Sequence, residues 1–184
     1  MKRIFAAIKI HPQPALTNFI STLQHHLAMD TITWVNTEKL HLTLKFFGET
    51  PDDKIQKIET ELEKITFTPF DIEIGHLKIF GSRYQPRVLF LEAMNVSPLT
   101  LLSQQIKEKI ATLGYEPDSQ HFVPHLTLGR IKTISDKKYF QKKIGAYSEI
   151  VLQTEHVKEF LLYESILHPS GPEYKIIKIF PLGI

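Results

Sequence analysis

The chain contains no cysteine among its 184 residues. This absence excludes disulfide bonds, catalytic thiolates and thiolate metal sites together. It is compatible with a reducing compartment, and we expect a cytoplasmic protein.

Long apolar segments are also missing. The N-terminal sequence MKRIFAAIKI begins with basic residues, but Lys9 interrupts its apolar run and Pro12 and Pro14 follow. Because no stretch has the length of a membrane span or the pattern of a secretory signal, we expect no membrane partner. The net charge of +2 is too small for broad nucleic-acid binding, although it is compatible with a local basic cleft for a phosphate or an RNA end.

Two common motifs for catalysis or nucleotide binding are absent. No Walker-type glycine loop is present, so ATP use has no support, and we expect no cofactor. Ser165 lies in Tyr-Glu-Ser-Ile-Leu, without the Gly-x-Ser-x-Gly elbow that a serine nucleophile would need.

The apolar periodicities predict an α+β protein of one domain, residues 1–184, with two similar halves. The strand-like segments are 3–10, 31–35, 40–47, 70–80, 87–94, 121–131, 149–152, 156–166 and 174–180. Helices are predicted from Pro14, from a Thr50-capped start at Pro51, from Ser97 to Gly114, and from Ser135 to Gly145. Gly75 is expected to mark a bulge.

One tetrapeptide occurs twice, as His41-Leu42-Thr43-Leu44 and His125-Leu126-Thr127-Leu128. Of the nine histidines, only these two have a threonine two places on. Since the copies lie 84 residues apart, close to half the chain, they indicate two halves related by a pseudo-twofold axis.

The alternation within each copy predicts a half-buried strand, because successive side chains of a strand point to opposite faces. The leucines would face a core, and the imidazole and hydroxyl would share the other face. Two such strands side by side would offer an acid, a base and two hydroxyl donors around one small volume.

The paired motifs and their flanks resemble the 2H phosphoesterase superfamily, and in particular the RNA 2′,3′-cyclic phosphodiesterases, also called 2′-5′ RNA ligases. The similarity covers nearly the whole chain. It includes RIFAAIKI, WVNTEKLHLTLKFFGE, RVLFL, FVPHLTLGR and FLLYESILHPSGPEY.

This resemblance implies a bilobal fold in which two antiparallel sheets line a central cleft and helices pack outside. The implied reaction is metal-independent hydrolysis of an RNA 2′,3′-cyclic phosphate to a 2′-phosphate, with ATP-independent 2′-5′ RNA ligation as a weak side activity. His41 would be the general acid and His125 the general base, although the residues themselves do not distinguish the two roles. Thr43 and Thr127 would donate hydrogen bonds to the phosphate oxygens.

Four further residues are weaker candidates for substrate binding. Arg130 would point away from the His/Thr face of a regular strand, so it reaches the phosphate only if the strand bends after Gly129. Arg87 and Arg83 are alternatives for phosphate or RNA contacts. Phe47 either stacks on a base or packs in the core.

Several alternatives stay open. A zinc site would need His121 with His125, but no carboxylate stands at ligand spacing, so we expect no metal. The substrate could instead be a small cyclic nucleotide or a 2′-5′ oligonucleotide. The chain could also be a module that binds RNA ends without turnover. We expect the protein to be a monomer.

Overall fold

The computed structural model describes residues 1–115, 122–169 and 171–183. Within these residues it contains nine strands, four α-helices and one turn of 3-10 helix at Thr37–Lys39. The strands are β1 (Lys2–Lys9), β2 (Thr31–Trp34), β3 (His41–Thr50), β4 (Phe70–Gly81), β5 (Pro86–Met94), β6 (His125–Thr133), β7 (Val151–Val157), β8 (Glu159–His168) and β9 (Gly171–Pro181). The helices are α1 (Pro14–His26), α2 (Asp52–Leu62), α3 (Ser97–Ala111) and α4 (Lys137–Ala146).

The strands form one curled antiparallel sheet in the order β7-β4-β5-β6-β3-β1-β8-β9, and β2 pairs with β6. The two sheets expected from the sequence are its two halves, which meet where Leu42 of β3 pairs with Leu126 of β6. The two halves have the same order of elements. In the first half β1 and α1 precede β3 and α2, and in the second half β5 and α3 precede β6 and α4. The α+β class and the pairing of two antiparallel halves are confirmed.

The main core lies between the sheet and the helices. Leu42, Leu44, Leu126 and Leu128 are all buried in it. Each helix contributes one apolar stripe, as Leu16, Phe19, Ile20 and Leu23 do in α1. The predicted orientation of the motif leucines is therefore confirmed, and the His/Thr face lies on the other side of the sheet.

Some predicted boundaries were wrong. Thr50 does not cap α2: it ends β3 opposite Lys2, and its hydroxyl donates to the carbonyl of Gly48 at 3.1 Å. The second motif strand begins at His125 rather than at residue 121, and His121 itself lies outside the described residues. Strands β7 and β8 are separated by Lys158 alone.

The predicted bulge at Gly75 is confirmed. Gly75 faces Glu92 and Leu77 faces Leu91, so His76 is the extra residue, and it has a φ of 47°. A Cβ at Gly75 would lie 1.9 Å from the carbonyl oxygen of Ile150, which is why only glycine fits there. Among the described residues, no helix has both the length and the apolar character needed to span a membrane.

Candidate active site

The two HLTL copies lie side by side at the junction of the two halves. Leu42 and Leu126 are directly opposite each other in an antiparallel pair, and they hold the same place in the two copies. Continuing that register by one residue sets His41 beside Thr127 and Thr43 beside His125. All four polar residues are half-buried. The pairing therefore brings two imidazoles and two hydroxyls to one surface.

Each motif histidine is held by a backbone carbonyl two residues before it. The Nδ1 atom of His41 lies 2.8 Å from the carbonyl oxygen of Lys39, and that of His125 lies 2.7 Å from the carbonyl oxygen of Val123. A carbonyl can only accept, so Nδ1 carries the hydrogen in both rings. The opposite nitrogen, Nε2, is then the atom that gains or loses a proton.

The electrostatic environment of His41 favours its neutral form. Burial lowers the pKa of His41 below its ordinary value, and the nearby His125 lowers it further, while the hydrogen bond to Lys39 acts in the opposite direction.

Aromatic rings surround both histidines, and the sequence analysis did not single them out. Around His41, the centroids of Phe5 and Tyr174 each lie 5.1 Å away. Around His125, the centroids of Phe80 and Phe90 lie 4.7 and 5.5 Å away. The sequence carried no clear signal for them, because Phe5 lies in the continuously buried run 4–8 of β1 and its partners come from strands distant in sequence.

A β-bulge follows the motif in both halves. In β3, Thr43 faces Ala7 and Lys45 faces Ala6, so Leu44 is extra. In β6, Thr127 faces Phe90 and Gly129 faces Leu89, so Leu128 is extra. The bulges occupy equivalent places in the two copies. Each one shifts the alternation by one residue, which returns the third residue after the threonine to the His/Thr face.

In β3 this third residue is Phe46, and the shift overturns the stacking alternative for Phe47. The side chain of Phe47 is only 8% exposed and packs edge-on against Tyr115 in the core. Phe46 is 59% exposed, and its ring lies 5.6 Å from that of Phe5. The phenylalanine exposed on the cleft face is therefore Phe46, which regular alternation of the strand would place on the core face.

In β6 the third residue is Arg130, which is exposed. The sequence required a bend after Gly129, but the irregularity lies one residue earlier, at the bulge of Leu128, and Gly129 and Arg130 pair regularly with Leu89 and Val88. Burial raises the pKa of Tyr174, and the charge of Arg130 acts in the opposite direction. The bulge before Gly129 puts Arg130 on the face that carries the His/Thr pairs.

The two other arginines differ in their surroundings. Arg87 is exposed and lines a depression of about 410 Å³ together with Phe80, whose ring contacts His125. Arg83 is engaged elsewhere: its Nε donates to Gln141 of α4 at 3.1 Å, and its carbonyl accepts from the same side chain. The structure therefore places Arg87 near the site and Arg83 in a contact with α4.

Other histidines have individual carboxylate partners. Nδ1 of His11 lies 3.0 Å from Glu155, Nδ1 of His156 lies 2.7 Å from Asp71, and Nε2 of His168 lies 3.0 Å from Glu173. Across residues 1–115, 122–169 and 171–183, no three His, Asp or Glu side chains are grouped as metal ligands would be. His121, which a zinc site with His125 would need, lies outside these residues.

Comparisons with known proteins agree with this geometry. The sequence pattern of the LigT-like phosphoesterases matches residues 8–90 and 93–174. An RNA 2′,3′-cyclic phosphodiesterase of Methanocaldococcus jannaschii is 33% identical over 176 residues, which cover 96% of this chain and 98% of the relative. A protein with the same name from Bacillus subtilis is 34% identical over 82% of this chain and 80% of its own length.

Solved structures show the same fold. A protein of Thermus thermophilus superposes with a TM-score of 0.79 at 24% identity, over 98% of this chain and 97% of its own. The apo form of Escherichia coli LigT superposes with a TM-score of 0.74 at 23% identity, with the same coverage of both chains. Because the family pattern spans both motifs and most of the chain, this protein belongs to the LigT-like phosphoesterases of the 2H superfamily.

Proposed function

We propose that the protein hydrolyses RNA 2′,3′-cyclic phosphate ends to 2′-phosphomonoesters. One observation carries the proposal: both motif histidines donate from Nδ1 to a carbonyl, which leaves each Nε2 available for proton transfer beside a threonine hydroxyl. The names of the relatives from Methanocaldococcus jannaschii and Bacillus subtilis support the same substrate class.

The reaction needs two proton transfers. Nε2 of His125 takes a proton from water, and the water oxygen forms a bond to phosphorus. The bond from phosphorus to the ribose 3′ oxygen breaks, and Nε2 of His41 gives that oxygen its proton. The product keeps the phosphate on the 2′ oxygen, and each such proton transfer contributes roughly 10²–10⁴-fold. The resemblance to the family supports this assignment of acid and base.

The acid role requires His41 to be protonated when the bond breaks. In the free protein, burial and His125 both lower its pKa. A bound cyclic phosphate is an anion, and an opposite charge beside an imidazole raises its pKa. We therefore propose that substrate binding itself supplies the protonated His41.

Donors on both halves would hold the phosphate. Thr43 and Thr127 lie beside the two histidines, and Arg130 reaches the same face through its bulge. Arg130 would pair with the non-bridging oxygens, where a guanidinium can donate two parallel hydrogen bonds. Phe46 would stack on the terminal base, and Arg87 would contact the RNA backbone beside Phe80.

Both motifs of the site come from one chain, and this supports a monomer. The lack of cysteine supports a cytoplasmic location. Since two histidines provide both proton transfers, the proposed reaction needs no metal. The same site would join RNA weakly when a 5′ hydroxyl takes the place of water, because the bonds made and broken are otherwise the same.

The test is an oligonucleotide with a 2′,3′-cyclic phosphate end, incubated with and without EDTA. We expect a 2′-phosphate product at the same rate in both reactions. His41→Ala and His125→Ala should abolish turnover while circular dichroism shows a folded protein. His156→Ala, which removes an exposed histidine paired with Asp71, is the matched control and should keep full activity.

Three results would contradict the proposal. A 3′-phosphate product would reverse the assigned bond cleavage, and loss of activity in EDTA would require a metal. Binding of the oligonucleotide without any turnover would identify the protein as an RNA-end binding module.

A further inference from the structure

A row of three polar side chains crosses the cleft face of β1, β8 and β9. Phe5 pairs with Tyr163 in the β1–β8 ladder, and continuing this register by two residues sets Arg3 beside Ser165. Ser165 in turn pairs with Tyr174 of β9. Because residues directly opposite each other share a face, Arg3, Ser165 and Tyr174 form one row on the face that carries Phe5.

This row lies next to the site but outside it. Along β1, Arg3 is two residues from Phe5, a step of about 6.6 Å, and the ring of Phe5 contacts His41. Tyr174, at the far end of the row, contacts both Phe5 and His41 with its ring. A ligand group on this row would therefore be a near neighbour of the reacting phosphate.

The row offers hydrogen-bond donors that the protein does not use. Within the part of the chain that the structure describes, Arg3 makes no ion pair, and the hydroxyls of Ser165 and Tyr174 have no hydrogen-bond partner. The charges of Arg3 and Arg130 both lower the pKa of Tyr174, although burial raises it more, so two guanidinium groups act on this hydroxyl. A guanidinium and two hydroxyls that have no acceptor in the protein can donate hydrogen bonds to the oxygens of a phosphate.

We propose that Arg3, Ser165 and Tyr174 bind an internal phosphodiester on the 5′ side of the cyclic phosphate in the same RNA strand. This inference rests on the proposed function, because it supposes that the cyclic phosphate lies between His41 and His125. It names the substrate class more closely: an RNA chain rather than a cyclic mononucleotide, which has no second phosphate to reach the row.

The adjacent residue Lys2 provides a matched control. Its Nζ lies 3.8 Å from Asp52 and 3.8 Å from Glu164, so it points to the other face of β1. Lys2→Ala and Arg3→Ala each remove one positive charge from neighbouring positions of the same strand. Only Arg3→Ala removes a side chain of the row formed by Arg3, Ser165 and Tyr174.

The experiment compares steady-state rates on two substrates, a nucleoside 2′,3′-cyclic phosphate with a free 5′ hydroxyl and a trinucleotide with a cyclic phosphate end. For Arg3→Ala we expect KM for the trinucleotide to rise about 10-fold with kcat unchanged, because a lost charged contact that is equal in ground and transition states alters binding alone. The rates on the mononucleotide should not change. Ser165→Ala should show the same pattern more weakly, and Lys2→Ala should match the wild type on both substrates.

Salt dependence gives a second readout. The slope of log KM for the trinucleotide against log salt concentration should fall by about 0.7 in Arg3→Ala, as expected for one lost phosphate contact on a single strand. An equal loss on both substrates, or no loss on the trinucleotide, would overturn the inference while leaving the proposed function intact. Failure of the wild type to hydrolyse either substrate would instead overturn the proposed function.

Discussion

Phe46 and Phe47 are neighbours in β3 with opposite environments: the side chain of Phe46 is 59% exposed beside the cleft, and that of Phe47 is 8% exposed in the core. The bulge at Leu44 causes this arrangement, because it moves the alternation by one residue after the motif. Two adjacent phenylalanines thus provide a contrast between a side chain exposed to the cleft and a side chain packed in the core.

Substitution of the two phenylalanines should separate activity from stability. Phe46→Ala should lower kcat/KM by about 5- to 100-fold through lost base stacking, with little change in the free energy of unfolding. Phe47→Ala should lower the free energy of unfolding by about 3–5 kcal/mol, because it opens a cavity in the core. Steady-state kinetics and urea unfolding measure both effects, and a Phe46→Ala protein with normal kinetics would remove Phe46 from the site.

The motif hydroxyls should act through hydrogen bonds rather than through packing. Thr43→Val and Thr127→Val keep the shape of the side chain and lose the donor. Each should lower kcat/KM by roughly 10- to 100-fold, the size of one hydrogen bond to a charged group. Thr43→Ser and Thr127→Ser retain the hydroxyl and should recover most of the activity. If the valine variants are as active as the serine variants, the phosphate is held by other groups.

His41 should also make stability depend on pH. Burial lowers its pKa in the folded chain, so just below pH 6.5, the ordinary value, the unfolded chain binds more protons than the folded chain. The contribution of His41 to the free energy of unfolding is therefore complete above about pH 6.5 and is lost as pH falls through the lower folded-state pKa. Chemical unfolding between pH 8 and pH 5 measures this change.

His41→Asn isolates that effect, because asparagine does not titrate and its amide nitrogen can take the place of Nδ1 and donate to the carbonyl of Lys39. The variant should lose less stability on acidification than the wild type does. If the free energy of unfolding changes equally with pH in the two proteins, folding does not lower the pKa of His41.

Gly129 should be required by the packing of β2 against β6. A Cβ at this position would lie 2.7 Å from Cγ2 of Ile32 and 3.3 Å from the carbonyl oxygen of Thr33. Gly129→Ala should therefore destabilise the protein by about 1–3 kcal/mol. Gly145→Ala is the matched control, since a Cβ there meets nothing within 4 Å and alanine favours the helix. Thermal unfolding of both variants measures the difference, and the melting temperature of Gly129→Ala should be the lower one. Equal melting temperatures would contradict the predicted clash.

The sequence predicted which segments form strands and helices better than it predicted which side chains after the motif face the cleft. Periodicity was sufficient for both motif strands and for the apolar stripes of the helices. The bulges at Leu44 and Leu128 were not predictable, because a bulge depends on which residues of the neighbouring strand lie opposite. The two alternatives for Phe47 stayed open for this reason, and so did the position of Arg130.

The aromatic surroundings of the histidines show the same limit. Phe5 and Tyr174 meet at His41 from the two ends of the chain, through pairings that bring β1, β8 and β9 together. Such contacts depend on strand order, and a local pattern in the sequence contains no information on it. In contrast, the His/Thr pairs were recognisable because the repeat itself implies that they meet.

The pairing of Leu42 with Leu126 has a consequence for substrate orientation. It relates the two motifs by a half-turn, so a phosphate bound in either of two opposite directions would meet one imidazole and one hydroxyl on each side. The two histidines and two threonines of the motifs therefore do not by themselves fix the direction in which a substrate binds. This direction must come from positions where the halves differ, and Phe46 and Arg130 are such a pair, because they follow equivalent bulges with an aromatic ring on one side and a positive charge on the other.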